Sequence, residues 1–380
     1  MPAAAPQLAR GPQLPPKVAL MFLTRGPMPL EPVWRAFLSA PGLAWPAPPA
    51  TEGSQDNSSG GSQDSSSGSS STAGSSVGPL FSMYVHCPPG FEYPEGSLFA
   101  GHEIPERVLV RWGQSTELLA EVLLVQAALG DPLNQRFVLL SESCIPLYPV
   151  ATVYAQLMSE GRSRVNTCPA GDPKDKEQWQ QGMQDFGLPE GSWRKSSQWK
   201  FLTRRHAELV VRDKLLIAAF HQECRVNHSR WCLSAEHYIP TLLAHLGLGN
   251  ETLCERLTYD EWGWEPHPKT FLGDEASNAT LRAMRGDSCE DQHTAVSALA
   301  AAAVHRLSQG QQQEGQAWPS SREAGAARAA GAQTSSQLGG VLDQGQVLPA
   351  SCPLFARKIA GQGAGQWAYV LAPMLAGEQP

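Results

Sequence analysis

The chain has 380 residues, 42% of them hydrophobic and 17% charged, with 29 Lys+Arg against 36 Asp+Glu. A normal apolar share and a net charge of −7 exclude a wholly disordered chain, and the lack of a cationic excess argues against a nucleic-acid binder. No apolar run approaches the ~20 residues that cross a bilayer, and the N-terminus MPAAAPQLARGPQLPPK lacks the apolar middle of a signal peptide.

In chain order, residues 1–16 read as a flexible N-terminus. The run from Lys17 to Arg25, closed by Gly26-Pro27, has the continuous apolar character of a strand buried on both faces. Residues 51–78 hold 12 Ser and 6 Gly in 28 positions and are expected to form a disordered insertion. Strand patterns return at Phe81–Cys87 and at Val108–Trp112. From Thr116 to Leu129 the residues Leu118, Val122, Val125 and Leu129 share one helical stripe, with Gly130 as its stop. Arg136–Ser143 gives a further strand, ending in a polar cluster.

Strands alternating with helices imply an α/β fold with a mostly parallel central sheet covered by helices. In such sheets ligands sit beyond the carboxyl ends of the strands. Thr24, Arg25, His86, Cys87, Ser141, Glu142 and Ser143 are therefore the residues to watch.

Further on, Arg194–Ala207 (RKSSQWKFLTRRHA) and Cys352–Lys358 (CPLFARK) are basic. A charge run is ordinarily a solvated face, and these are the two places where an anion could be met. In Trp231–Gly247, Ser234 is a candidate N-cap, which puts Glu236 and His237 in the first turn of a helix. Glu236 reads either as a residue complementing the helix dipole or as a general base facing a cleft. Trp262 and Trp264 lie in a Pro-containing loop, where indole faces suit either sugar rings or ordinary packing. Residues 291–346, rich in Ala, Gln, Gly and Ser, read as a low-complexity linker with helical potential in AVSALAAAAVHRL.

The eight cysteines form no CxxC pair, so disulfides compete with buried thiols and a zinc site is not expected. N-x-S/T acceptors occur at Asn57, Asn227, Asn250 and Asn278. Phosphate-loop, dinucleotide, HExxH and GxSxG patterns are absent, as is an Asp-x-Asp after a strand to hold a divalent cation.

The ordered blocks KVALMFLTRGPMPLEPVW, FSMYVHCPPGF, RFVLLSESCIPL, WRKSSQWKFLTRRHA, WCLSAEHYIPTLL and CPLFARKIAG resemble the core-2/I-branching β-1,6-N-acetylglucosaminyltransferase-like family, in its plant and green-algal branch. The resemblance implies a GT-A type glycosyltransferase that inverts the anomeric centre with a UDP-sugar donor, a glycan or glycoprotein acceptor and no metal. The glycosyltransferase domain would run over 17–290, interrupted at 51–78, with its C-terminal part at 347–380. By motif position Glu236 corresponds to the family's catalytic base and Lys358 to its diphosphate lysine. Trp262 and Trp264 correspond to the acceptor pair of the animal enzymes.

Arg357, Lys269, Thr24, Arg25, Ser141 and Glu142 complete the donor-binding candidates, and Trp199 joins the acceptor-binding ones. No arginine aligns near His267-Pro-Lys269, where the animal enzymes place a second diphosphate ligand, and Lys269 is the available substitute. The resemblance also implies a Golgi membrane protein with a lumenal catalytic domain, although no anchor is legible. A catalytically inactive sugar-binding protein is the alternative. A glycoside hydrolase would need a second carboxylate opposite Glu236.

Overall fold

The computed structural model describes residues 15–39, 80–165, 178–227, 231–265, 267–310 and 347–375. The Ser/Gly insertion at 51–78, the first 14 residues and the stretch 311–346 lie outside the described residues.

The chain runs through β1 (Lys17–Leu23), α1 (Glu31–Leu38), β2 (Phe81–His86), α2 (Ser115–Leu129), β3 (Asn134–Ser141), β4 (Ile145–Pro146), α3 (Val150–Ser159) and β5 (Ser163–Arg164). It continues with β6 (Phe201–Thr203), α4 (Arg204–Arg212), α5 (Leu215–Glu223), α6 (Ser234–His245), β7 (Thr252–Leu253) and β8 (Thr258–Tyr259). Helices α7 (Asn278–Arg285) and α8 (Asp287–Gly310), strand β9 (Phe355–Ala356) and helix α9 (Ala364–Leu375) complete it.

The six-stranded sheet has the order β2-β1-β3-β6-β5-β7. Its three long strands are parallel, as the sequence implies, but β6 enters antiparallel to both β3 and β5, so the whole sheet is mixed. Alternation along β1 feeds two apolar layers. Val18, Leu20 and Phe22 face a core shared with α1, α3, α8 and α9. Ala19, Met21 and Leu23 face a second core shared with α2, α4, α5 and α6. A strand buried on both faces needs no polar side, which is why β1 reads as an unbroken apolar run. The expected stripe on α2 is also observed, with Leu118, Val122 and Val125 buried and Leu129 half-buried at its end.

Two local expectations are corrected. Residues Val108–Trp112 form no strand, because the Val108 amide donates to the His86 imidazole (Nε2, 3.1 Å) instead of to a neighbouring ladder. The stretch expected to be low-complexity from 291 begins as helix α8, whose Val296, Ala300, Ala303 and Val304 are buried in the first core. Small alanine side chains let that helix sit close against the core, so a composition that resembles a linker packs as structure.

A second, three-stranded sheet has the order β4-β9-β8, with β9 antiparallel to β4 and parallel to β8. The buried Arg164 fixes its approach by pairing with Glu160 and donating to the Cys352 carbonyl at 2.7 Å. Disulfides join Cys224 to Cys232 and Cys289 to Cys352, Cys254 is also disulfide-bonded, and Cys87 and Cys144 are free and buried.

Candidate active site

The registers Leu23↔His86 and Leu23↔Ser141 bring the carboxyl ends of the three long strands level, so the residues that follow emerge at one edge. After β1, the Thr24 amide extends the ladder to the His86 carbonyl at 2.9 Å. The buried Thr24 hydroxyl meets the Tyr93 hydroxyl at 3.2 Å, and Tyr93 in turn donates to the Gly26 carbonyl at 2.8 Å. Thr24 is thus engaged in holding the loop. Gly26 has φ +130°, a region glycine favours, with the Phe91 ring 3.4 Å from where a Cβ would stand.

Arg25 and Glu142 link the loops after β1 and β3 through an Nε–Oε1 contact of 2.7 Å. Ser141 is paired with Ser143 (Oγ–Oγ, 3.0 Å).

The chain leaving β9 enters this corner. The Arg357 amide donates to the Tyr259 carbonyl at 2.9 Å, Ile359 donates to Ser143 at 3.0 Å, and Phe271 donates to the Lys358 carbonyl at 2.8 Å. Arg357 is half-buried, and its guanidinium carbon stands 4.6 Å from the centroid of the Trp199 ring. Its Nε makes no hydrogen bond among the described residues.

Burial pulls the pKa of Arg357 down, against the opposing influence of Cys144, Asp260, Glu142 and Glu236. Burial likewise lowers that of Lys358, helped by the nearby Arg357 and Arg25 and opposed by Glu142. Arg25, Arg357 and Lys358 therefore share one corner with the carboxylate of Glu142. Three cations around one acid leave an excess of positive charge at this corner, which suits an anionic group.

Glu236 lies in the first turn of α6. Ser234 begins this helix instead of capping it, since the preceding Leu233 holds the N-cap position and the Ser234 hydroxyl donates to the Gln114 carbonyl at 3.4 Å. The Glu236 side chain is 29% exposed, and Lys195 Nζ lies 3.9 Å from its Oε2. The helix N-terminus and this ammonium both favour the ionised carboxylate. Glu236 acts electrostatically on Arg357, Lys200, Glu117 and Glu121, so it is close to one of the corner's cations and to the buried acids of α2. Its neighbour His237 turns inward, stacked on Trp193 with centroids 4.5 Å apart, and burial pushes its pKa down to about 3.

The remaining candidates divide. Trp199 is 8% exposed and forms the bed of the Arg357 guanidinium. Trp262 and Trp264 are exposed on the loop that leaves β8, the parallel neighbour of β9. Lys269 closes the base of that loop: its amide donates to the Glu261 carbonyl at 2.8 Å, and its ammonium lies 2.9 Å from Glu275 and 3.7 Å from Glu261. Two carboxylates occupy Lys269, and it is absent from the charges acting on Lys358.

Sequence reasoning missed Lys200 and Glu121, a buried pair 3.9 Å apart whose ammonium reaches the carbonyl of Ala235, the residue before Glu236. Among the described residues no three His, Cys, Asp or Glu side chains group as a metal site, and no helix is long and apolar enough to cross a membrane.

Comparison with known proteins gives two results. The family model described as Core-2/I-Branching enzyme matches residues 78–285. The chain is also 30% identical over 308 residues to a protein named Glycosyltransferase BC10 from Oryza sativa subsp. japonica, covering 72% of this chain and 67% of that one.

Proposed function

The chain belongs to the Core-2/I-branching enzyme family of glycosyltransferases, and from that premise we propose that it moves a sugar, GlcNAc or a related hexose, from a UDP-sugar to a glycan hydroxyl with inversion. The observation that carries this reading is one partly exposed carboxylate, Glu236, whose charge is felt by Arg357, with Lys358 next to that arginine at the carboxyl edge of the sheet.

In this mechanism Glu236 accepts the proton of the acceptor hydroxyl as its oxygen attacks the anomeric carbon from the face opposite the nucleotide. The C1–O bond to the diphosphate breaks with its electron pair leaving on UDP. Lys358 and Arg357, with Arg25 at the rim, neutralise the charge that accumulates there. Such contacts aid catalysis only as far as they strengthen toward the transition state. The diphosphate charge would be carried by these side chains without a metal ion. Trp262 and Trp264 would offer indole faces to the acceptor.

A lumenal site of action fits the disulfides Cys224–Cys232 and Cys289–Cys352, which belong to oxidising compartments, and the exposed Asn227, Asn250 and Asn278. A Golgi location follows from this reading.

The deciding experiment is release of UDP from a panel of UDP-sugars, with and without glycan acceptors. Glu236→Gln should lower turnover about a hundredfold or more while UDP binding stays nearly intact. Wild-type turnover in that variant would remove Glu236 as the base. Sugar binding without any UDP release would make the protein a non-catalytic binder.

A further inference from the structure

Lys200 belongs to the basic segment expected to be a solvated face, yet its side chain is only 3% exposed. Its ammonium donates to the Ala235 carbonyl at 2.9 Å and stands 3.9 Å from Oε2 of Glu121, which is equally buried. Ala235 immediately precedes Glu236. The Gln198 amide approaches Glu121, but neither group makes a hydrogen bond of good geometry among the described residues. The walls around the pair are otherwise apolar: Met21, Val125, Phe137, Leu139, Leu202 and Ile239.

A buried ion pair of this kind is seldom more stable than well-packed apolar residues of the same volume. Its location suggests a different use. Charge in a dry interior is screened less than charge at the surface, so the interaction of Lys200 with Glu236 persists, whereas Lys195 is about a third exposed and damped by water.

We propose that Lys200, kept charged by Glu121, is a positioning residue for Glu236: it fixes the first turn of α6 through the Ala235 carbonyl and holds the catalytic carboxylate ionised from within the core. The inference rests on the reading of Glu236 as the general base. The charges facing Glu236 are the cations Lys195, Lys200 and Arg357 and the acids Glu117 and Glu121. Those facing Lys200 are Glu121 and Glu236. His237, next on the helix, is buried in its neutral form and adds no charge.

The signs follow. Without Lys200 the ionised form of Glu236 loses an interior cation, its pKa rises, and the acid limb of the rate profile moves to higher pH. Without the Glu121 carboxylate the ammonium of Lys200, already lowered by burial, gives up its proton more readily, and the alkaline limb moves to lower pH.

The test uses the full chain, with UDP-GlcNAc as the donor probe for pH–rate profiles. A carboxylate 13C NMR titration of Glu236, its resonance assigned by its loss in Glu236→Gln, reads the same group without requiring turnover. Lys200→Met should raise both the acid limb and the Glu236 midpoint by about one pH unit, a roughly tenfold rate loss on the acid side. Glu121→Gln should lower the alkaline limb and leave the acid limb where it was or below.

The double variant Glu121→Leu/Lys200→Met should recover the melting temperature lost in Lys200→Met yet keep the raised Glu236 midpoint, which a purely structural role would not produce. That double variant also carries the test should either single variant fail to fold. An unchanged Glu236 midpoint in the variants lacking Lys200 overturns the proposal. If Glu236→Gln is inactive and that midpoint does not move, this inference alone fails; if Glu236→Gln turns over normally, the base assignment falls and this inference with it.

Discussion

The guanidinium carbon of Arg357 stands over the Trp199 ring, 4.6 Å from its centroid. Because Trp199 is buried, the indole serves as a bed that restrains the cation. Trp199→Leu should weaken UDP binding about three- to tenfold through loss of this contact, and Trp199→Phe less, as isothermal titration against UDP would show. Equal losses in the two variants would mean that volume, not the ring's charge distribution, holds Arg357.

Donor affinity should fall as pH rises through the lowered pKa of Lys358, since only the ammonium form attracts the diphosphate. Arg25 depresses that pKa and Glu142 raises it. Arg25→Ala should therefore move the fall in UDP affinity to higher pH, and Glu142→Gln should move it to lower pH. Titrations with UDP between about pH 7 and 10 check both directions.

Glu117 supplies a stability prediction. Burial pushes its carboxyl up to about 7, with Glu121 and Glu236 adding to the effect and the Gly113 amide (3.1 Å) opposing it. Its folded pKa exceeds the unfolded value, so its stabilising contribution is complete below about 4.5 and is lost as pH rises through about 7. Glu117→Gln keeps an acceptor for Gly113 and removes the titration. At pH 8 the variant should be more stable than the parent by on the order of 2 kcal/mol, and at pH 4 the two should melt alike.

The two disulfides should differ in their effect on stability. Cys289–Cys352 spans 63 residues and Cys224–Cys232 spans 8. Loop-closure entropy gives about 4 kcal/mol for the longer and about 2.5 kcal/mol for the shorter. Replacing the first pair with alanine should lower the melting temperature more. It should also weaken UDP binding, since Cys352 leads directly into β9 and Arg357; scanning calorimetry and titration separate the two effects.

Much of this arrangement was legible in the sequence, and the part that was not has physical causes. Strands β1 to β3 and helix α2 announced themselves because burial on two faces, or on one stripe, leaves a signature over six or more residues. Glu236 was visible because a helix start is a local pattern. Val108–Trp112 has strand-like residues, yet its amide is taken by His86, a choice made by a tertiary neighbour. Ser234 has the chemistry of a cap, but Gln114 claims its hydroxyl. Lys200 was hidden among other cations in WRKSSQWK, and its burial depends on Glu121, far away along the chain on α2. Lys269, a plausible donor ligand by position, is held by Glu261 and Glu275, which no spacing rule foretells.

Among the described strands, β9 comes latest in chain order, yet it is the middle strand of the small sheet: it slots between β4 and β8, and Arg357 and Lys358 follow it directly. On the ribosome, the acid on α6 emerges more than a hundred residues before Arg357 and Lys358. If Glu236 is the proton acceptor, a polypeptide not yet extended through β9 possesses it with nothing to grip a pyrophosphate. On the proposed reading, competence to handle activated sugar arrives only with this stitch, when β9 is threaded between strands made long before it.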